Sequence, residues 1–188
     1  MGKMQTIDEM DIQRVLAGRT DDFRLLIRRY QGYVQTLVGR MIPRVEDVED
    51  VVQDTFVAVY RNLASYDANK ASFPTWLSRI AYYTTIHHLR DRREAMAYLE
   101  DNETLLASVS DEEADRLWEE APETEANLLD EALMHLKAEE RLLVHLFYYE
   151  GKSLAEISYI LGAEPGTLAT RLCRIRKKLY IIIKEKRK

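Results

Sequence analysis

The chain has 188 residues, of which 46% are hydrophobic and 31% charged, and its formal net charge is −5. This length supports one or two domains with a hydrophobic core, and the presence of only seven glycines and four prolines favours an all-helical fold. No stretch approaches the roughly 18 apolar residues of a membrane span, and the N-terminus lacks the apolar core of a signal peptide. A single cysteine, Cys173, excludes an internal disulfide, so we expect a cytoplasmic protein with a packed or half-buried thiol.

Charge divides the sequence into three segments. Residues 1–95 carry 14 basic and 13 acidic side chains, whereas residues 100–125 carry one basic and 11 acidic side chains, a net charge of −10. Residues 126–188 carry 12 basic and eight acidic side chains. The acidic segment has no clear hydrophobic periodicity, which is typical of a linker. We therefore predict two helical domains, residues 1–97 and 126–188, joined by an acidic flexible linker over residues 98–125.

Four helices are predicted in the first domain. The first runs from about Ile7 to Ala17, and Thr20 is predicted to cap a second helix that Pro43 ends. The third extends from about Val45 to Ala64, and the fourth is capped by Ser72. Apolar residues at helical spacing predict these buried faces: Phe23, Leu26, Ile27, Tyr30, Val34, Leu37 and Val38 in the second helix; Val45, Val48, Val52, Phe56, Val59 and Leu63 in the third; Trp76, Leu77, Ile80, Ala81 and Thr84 in the fourth.

Two exposed faces of this domain carry candidate binding residues. The third helix has an acidic face, which composition alone explains equally well as a solvated surface. Its residues are Glu46, Glu49, Asp50, Gln53 and Asp54. The fourth helix aligns four side chains at spacings of four, four and three residues. They are Arg79, Tyr83, His87 and Arg90. Because aromatic side chains among arginines can stack unpaired bases, with about 1–3 kcal/mol per base, this second face is a candidate for single-stranded nucleic acid.

The most informative stretch is SLAEISYILGAEPGTLATRLCRIRKK, residues 153–178. Ser153 and Glu156 form a capping box that predicts the start of a helix, and Gly162 is predicted to end it. Pro165 suits the first turn of the next helix. The predicted buried face of that helix consists of Leu168, Leu172, Ile175 and Leu179. A short helix, a glycine turn and a second helix with an exposed basic face form the helix-turn-helix pattern, in which the second helix enters the major groove of DNA.

Charge favours DNA binding over an ordinary helical hairpin with a solvated basic face. Residues 165–188 contain nine Lys or Arg and one acidic residue, although the whole chain is acidic. The basic side chains that this helix is expected to expose are Arg171, Arg174, Lys177 and Lys178. The candidate DNA-binding residues are Thr167, Thr170, Arg171, Arg174 and Lys178. Two preceding helices, over residues 128–136 and 139–149, complete a predicted four-helix domain.

Motifs of enzymes and metal sites are missing from the sequence. His87 and His88 are neighbours on a helix, point about 100° apart and cannot share a metal ion without further ligands. No CxxC, HExxH, Walker or glycine-rich nucleotide-binding motif occurs. We therefore expect no catalytic activity, no metal and no cofactor.

Three stretches together resemble bacterial RNA polymerase sigma factors of the extracytoplasmic-function (ECF) type. They are EDVEDVVQDTFVAVYRNLASYD, ASFPTWLSRIAYYTTIHHLRDRR and EGKSLAEISYILGAEPGTLATRLCRIRKKL, in the order and spacing of that family. The resemblance covers residues 8–95 and 126–185. It implies an all-α protein that binds core RNA polymerase and directs it to promoters, with a first domain that reads and melts the minus-ten element and a second that reads the minus-thirty-five element.

The resemblance also assigns roles to individual residues. Those matching the polymerase-binding face are Asp50, Gln53 and Asp54. Residues 73–93 match the segment that captures the minus-ten strand, and Arg171 and Arg174 match positions on the minus-thirty-five recognition helix. The acidic linker resembles a connector that threads through polymerase where nucleic acid would otherwise run. An anti-sigma protein is a further expected partner, whereas no small-molecule substrate is expected.

Three positions depart from the common family pattern. Relatives often have Asn at the position of Tyr83, Asp at His87, and Lys or Arg at Ala169, so the usual promoter sequence is not assumed.

The alternative function is a two-domain helix-turn-helix repressor or activator that works without polymerase. Such a protein would need a ligand pocket or dimer surface, whereas the first domain here combines an acidic helix face with an aromatic and basic one. A helical protein without a DNA role leaves the basic C-terminus unexplained.

Overall fold

The computed structural model describes residues 6–91, Ser110 and residues 126–186. All regular structure in these ranges is helical, which confirms the all-α prediction. The α-helices are α1 (Ile7–Leu16), α2 (Phe23–Met41), α3 (Val45–Asn62), α4 (Phe73–Asp91), α5 (Ala126–Met134), α6 (Ala138–Val144), α7 (Leu154–Leu161) and α8 (Pro165–Lys186). The chain separates into two compact units, the first containing α1 to α4 and the second most of the helices that follow. Apart from Ser110, the predicted linker lies outside the described residues.

Local sequence signals set the ends of α1 and α2. Thr6 caps α1, because its hydroxyl accepts a hydrogen bond of 3.2 Å from the Glu9 amide. The prediction that Thr20 caps α2 is wrong: Thr20–Asp22 form a short 3-10 turn, and α2 begins at Phe23 without a side-chain cap. At its other end, α2 stops before proline as predicted. Ile42 takes an extended backbone (φ −111°, ψ 123°), which the residue before a proline prefers.

The first unit is a bundle in which α2, α3 and α4 pack against one another and α1 packs on α2. Its fully buried side chains include Leu26, Val34, Val51, Val59 and Leu77. The predicted burial of Val45 is wrong: this first residue of α3 is 64% exposed, and the buried face of the helix begins at Asp47 and Val48. A buried threonine lies on this face and is satisfied within the helix, since the Thr55 hydroxyl donates to the Val51 carbonyl at 2.7 Å.

A cluster of charged and polar groups holds α1 to α2. The Arg29 guanidinium donates to the carboxylates of Asp8 and Asp11, at 2.8 Å to the latter, and the Tyr30 hydroxyl donates to Asp8 at 2.6 Å. Hydrogen bonding to Asp11 raises the pKa of Arg29, and burial together with the Asp8 hydrogen bond raises the pKa of Tyr30. Asp11 is only 3% exposed, and its carboxylate forms ion pairs with Arg29 at 2.8 Å and with Arg14 at 3.5 Å, which compensate its burial.

We predict that Arg29→Met lowers the free energy of unfolding by about 1–3 kcal/mol, because it leaves Asp8 and the buried Asp11 without their shared donor. Equilibrium urea unfolding followed by circular dichroism measures this change. Arg28→Met is the matched control, since Arg28 is the exposed neighbour of Arg29 on α2. Equal losses for the two variants would contradict a specific role for the cluster.

The second unit is built on the buried faces of α5, α6 and α8. The predicted second helix of this domain begins at Ala138, and after Val144 it continues as a π-helical turn, His145–Tyr149. Burial of Leu142, Leu143 and Leu146 is confirmed. The buried residues of α8 are Leu168, Leu172, Ile175, Leu179 and Ile183, which confirms the predicted face and extends it by one turn.

The predicted helix-turn-helix signals are confirmed in detail. The Ser153 amide donates to Glu156 at 2.9 Å, and the Glu156 amide donates to the Ser153 hydroxyl at 3.3 Å, so the capping box is reciprocal. Gly162 follows α7 with a positive φ of 69°, a conformation that glycine adopts without steric cost. Pro165 is the first residue of α8. These short-range interactions define where α7 ends and α8 begins.

Candidate polymerase and DNA interfaces

The acidic face of α3 is exposed to solvent, as predicted. All five of its residues are exposed: Glu46, Glu49, Asp50, Gln53 and Asp54. Three of them, Asp50, Gln53 and Asp54, are spaced i, i+3 and i+4, so the helix brings them together on one face. The opposite side of the same helix is buried through Val48, Val51, Thr55 and Val59. The packing of α3 therefore fixes which way these carboxylates point.

An apolar groove between α2 and α3 adjoins this acidic face. It has a volume of about 450 Å³, and its lining residues are Phe23, Ile27, Gln31, Val52, Gln53, Phe56, Val57, Tyr60 and Arg61. Gln53 belongs both to the groove and to the acidic face. Val57 and Tyr60 are 47% and 44% exposed, and the Tyr60 ring meets Phe23 edge-on with centroids 5.1 Å apart. Large exposed apolar side chains around a groove are typical of a protein interaction site.

The sequence interpretation missed this groove, although part of its signal was present. Val57 and Tyr60 lie four and seven residues after Gln53, so they continue the exposed face of α3 with apolar side chains. The contribution of α2 to the groove could not be predicted from the sequence of α3, because it depends on how the two helices pack in the folded chain.

The predicted basic and aromatic face of α4 is present, and two of its members contact each other. Tyr83, His87 and Arg90 are exposed, whereas Arg79 is half-buried. The Arg79 guanidinium lies over the Tyr83 ring, 5.1 Å from its centroid, in a cation–π arrangement. The Tyr83 ring also meets Tyr82 edge-on, with centroids 5.0 Å apart, and Tyr83 remains 45% exposed.

The aromatic residues at the start of α4 are structural. Phe73 and Trp76 are 2% and 6% exposed, which confirms that Trp76 is a core residue. Tyr66, in the loop before α4, packs against both rings with centroid distances of 5.5 Å. Burial raises the pKa of Tyr66 to about 12, so its hydroxyl stays neutral. The cluster anchors the N-terminal end of α4.

The candidate residues on α8 fall into two groups. The exposed ones are Thr167, Thr170, Arg171 and Arg174. The prediction that α8 exposes Lys177 and Lys178 is wrong, because both side chains are partly buried. The Lys178 side chain is only 14% exposed and its ammonium group lies 2.7 Å from Glu140, a residue of α6. Lys178 is therefore engaged within its own domain.

Metal and membrane sites are not indicated in the part of the chain that the structure describes. No group of three His, Cys, Asp or Glu side chains in these ranges could hold a metal ion. Among the described helices, none has the length and apolar character needed to cross a membrane. Cys173 is partly buried on α8, as expected.

Comparison with known proteins matches both halves of the chain. Residues 26–95 match Sigma-70 region 2, and residues 126–179 match Sigma-70, region 4. The chain is 31% identical over 183 residues to the ECF RNA polymerase sigma factor SigW of Bacillus subtilis (strain 168), covering 94% of this chain and 96% of SigW. It is 32% identical over 182 residues to the ECF RNA polymerase sigma-E factor of Escherichia coli (strain K12), covering 92% of each protein.

Solved structures show the same fold. The sigma factor RpoE from Bartonella quintana, in complex with the anti-sigma factor NepR, gives a TM-score of 0.62 at 19% identity over 87% of this chain and 97% of RpoE. CnrH, in complex with the cytosolic domain of CnrY, gives 0.59 at 27% identity over 94% of this chain and 96% of CnrH. Because two sigma-70 regions match in order and the relatives align over nearly their full length, this chain belongs to the ECF family of RNA polymerase sigma factors, which direct transcription initiation.

Proposed function

We propose that this sigma factor docks on core RNA polymerase through α3 and contacts promoter DNA with α4 and α8. Residues 1–97 would bind polymerase and open the minus-ten element, and residues 126–188 would read the minus-thirty-five element. Residues 98–125 would connect them inside polymerase, where a net charge of −10 over residues 100–125 imitates nucleic acid. The observation that carries the docking surface is the junction of an acidic helix face with an apolar groove at Gln53.

The two parts of this surface call for a partner with matching chemistry. Asp50 and Asp54 favour basic side chains, which orient an approaching partner and raise the rate of association. The apolar groove favours burial of aliphatic or aromatic side chains, which supplies affinity in proportion to the area removed from water. A polymerase segment with basic residues beside an apolar ridge would satisfy both requirements.

Reversing the charge of the acidic face should abolish binding to core polymerase. Asp50→Arg combined with Asp54→Arg replaces two exposed carboxylates and should leave the fold intact, since neither side chain is buried. Pull-down of the full-length variant with purified core polymerase measures the effect. Asp21→Arg combined with Glu185→Arg is the control, because it changes the net charge equally at exposed positions outside α3. Unchanged affinity of the α3 variant would contradict the docking assignment.

The groove gives a second, uncharged test. Val57→Ser should weaken binding to core polymerase about fivefold. The substitution removes apolar surface that the half-exposed Val57 would bury at the interface. Val45→Ser makes the same chemical change at a more exposed position on the same helix, away from the groove lining, and should have no effect. Fluorescence titration of labelled protein with core polymerase compares the two. A larger loss for Val45→Ser would exclude the groove as part of the interface.

On α4 we propose that one side chain stacks on a base and another pairs with phosphate. The exposed ring of Tyr83, supported by Arg79, could stack an unpaired base of the minus-ten strand. His87 and Arg90 lie further along the same helix, where the cation of Arg90 could pair with phosphate. Since relatives often have Asn and Asp at the positions of Tyr83 and His87, the promoter preference should differ from theirs.

On α8, Arg171 and Arg174 are the main candidates for contact with the minus-thirty-five element. An arginine can pair with a phosphate or bind guanine through two hydrogen bonds. Thr167 and Thr170 precede them on the exposed side, although the Thr170 hydroxyl already donates to the Gly166 carbonyl at 3.0 Å. Lys178 would contribute mainly through its positive field, because Glu140 already pairs with it.

Further partners and the setting follow from the family. RpoE of Bartonella quintana was solved with the anti-sigma factor NepR, and we propose that an anti-sigma protein also holds the present chain inactive. The chain would act in the cytoplasm, where polymerase and promoter DNA are found, without a cofactor or small-molecule substrate. Bond formation would belong to polymerase, and the sigma factor itself would carry out no catalysis.

A further inference from the structure

We propose that Glu139, at the start of α6, competes with DNA phosphate for Arg171 and thereby sets how strongly α8 engages DNA. This inference rests on the proposed DNA-binding role of α8. Glu139 would act through Arg171 rather than by touching DNA, so it is a positioning residue for the recognition helix.

The first turn of α6 faces the basic side of α8 with two consecutive carboxylates. Glu139 Oε2 lies 3.8 Å from Arg171 Nη1, and Glu140 Oε1 lies 2.7 Å from Lys178 Nζ. Arg171 and Lys178 are seven residues apart, which places them on the same face of α8. Each carboxylate therefore meets a different cation of one continuous basic face.

The two ion pairs differ in solvent exposure, and this difference gives them different roles. In the Glu140–Lys178 pair the side chains are only 18% and 14% exposed, and Glu140 also accepts a hydrogen bond of 3.0 Å from the Lys137 amide. That pair belongs to the fold of the domain. In the Glu139–Arg171 pair both side chains are 48% exposed, so the pair can open without unpacking the domain.

Arg174 is the third cation on this face of α8. It lies on the same face between Arg171 and Lys178 and is exposed. Within the described ranges it forms no ion pair, unlike its two neighbours on this face. Among these three described cations, Arg174 thus forms no ion pair, Arg171 is weakly paired and Lys178 is firmly paired. Of the three, Arg171 is therefore the cation whose availability should respond most to a small change in its carboxylate partner.

A phosphate that approaches Arg171 must displace Glu139 and overcome the repulsion of its carboxylate. An exposed ion pair of this kind is weak, so removing the negative charge should strengthen DNA binding about two- to fivefold. The gain should shrink as salt is added, because exposed charges are screened over about 10 Å at 0.1 M salt. A change in packing alone would not show this salt dependence.

The test uses full-length protein and a short, fluorescently labelled DNA duplex of mixed sequence, with anisotropy titrations over a salt series. The variants are Glu139→Gln, Arg171→Gln and the combination of both. Glu185→Gln is the control, since it removes one carboxylate from the far end of α8. Thermal unfolding of each variant checks the fold, which Glu139→Gln should preserve because Glu140 accepts the hydrogen bond at the start of α6.

We expect Glu139→Gln to bind the duplex two- to fivefold more tightly at low salt, and the double variant to bind like Arg171→Gln. An equal gain for Glu185→Gln would show a general charge effect and overturn the inference. A gain that persists in the Arg171→Gln background, or no gain at all, would also overturn it. If Arg171→Gln binds as tightly as the unchanged protein, the proposed DNA role of Arg171 itself fails, which is a separate result.

Discussion

The packing of α3 is the constraint on which the first unit depends. One face of this helix is buried against α2 and α4 through Val48, Val51 and Val59, and even its threonine is satisfied internally. Because a helix is rigid on the scale of one turn, burial of that face forces Asp50 and Asp54 outward on the other. The groove beside them lies between α2 and α3, and Val57 and Tyr60 on its α3 side remain partly exposed. The same packing that stabilises the bundle thus creates the proposed docking surface.

A similar division governs α8 in the second unit. Its buried side is aliphatic over almost the full helix, so its basic residues lie on the remaining faces, where several of them meet neighbouring elements. In the proposed DNA complex, the two carboxylates of α6 would limit how strongly Arg171 and Lys178 can pair with phosphate. Lys178 is held in the domain by Glu140, whereas Arg171 is held only loosely by Glu139. If α8 binds DNA as proposed, its affinity for DNA would depend on α6 as well as on α8 itself.

Features encoded within a few residues could be predicted from the sequence. The capping box at Ser153 and the positive φ of Gly162 depend on neighbours along the chain, and both were predicted. The buried face of α8 followed from helical period alone. Thr20 shows where this local reasoning fails: a good capping residue sits in a 3-10 turn and leaves α2 uncapped.

Contacts between residues distant in sequence could not be predicted in this way. Arg29 and Asp8 are 21 residues apart in the sequence, and Lys178 and Glu140 are 38 residues apart. The residues next to them in the sequence do not predict either pair. The groove beside α3 likewise needs the relative placement of two helices. The proposed roles of Asp50, Gln53 and Asp54 came from resemblance to a family, because an exposed acidic helix face has no function that its chemistry alone would reveal.

Transcription in vitro tests the central claim most directly. Purified core polymerase is incubated with fragmented genomic DNA of the bacterium that encodes the chain, with and without the full-length protein, and the 5′ ends of the transcripts are sequenced. We predict that the protein produces a defined set of new start sites, each preceded by two short sequence elements at constant spacing. Identical start sites with and without the protein, together with tight sequence-specific DNA binding by the free chain, would contradict a sigma factor and indicate a repressor or activator.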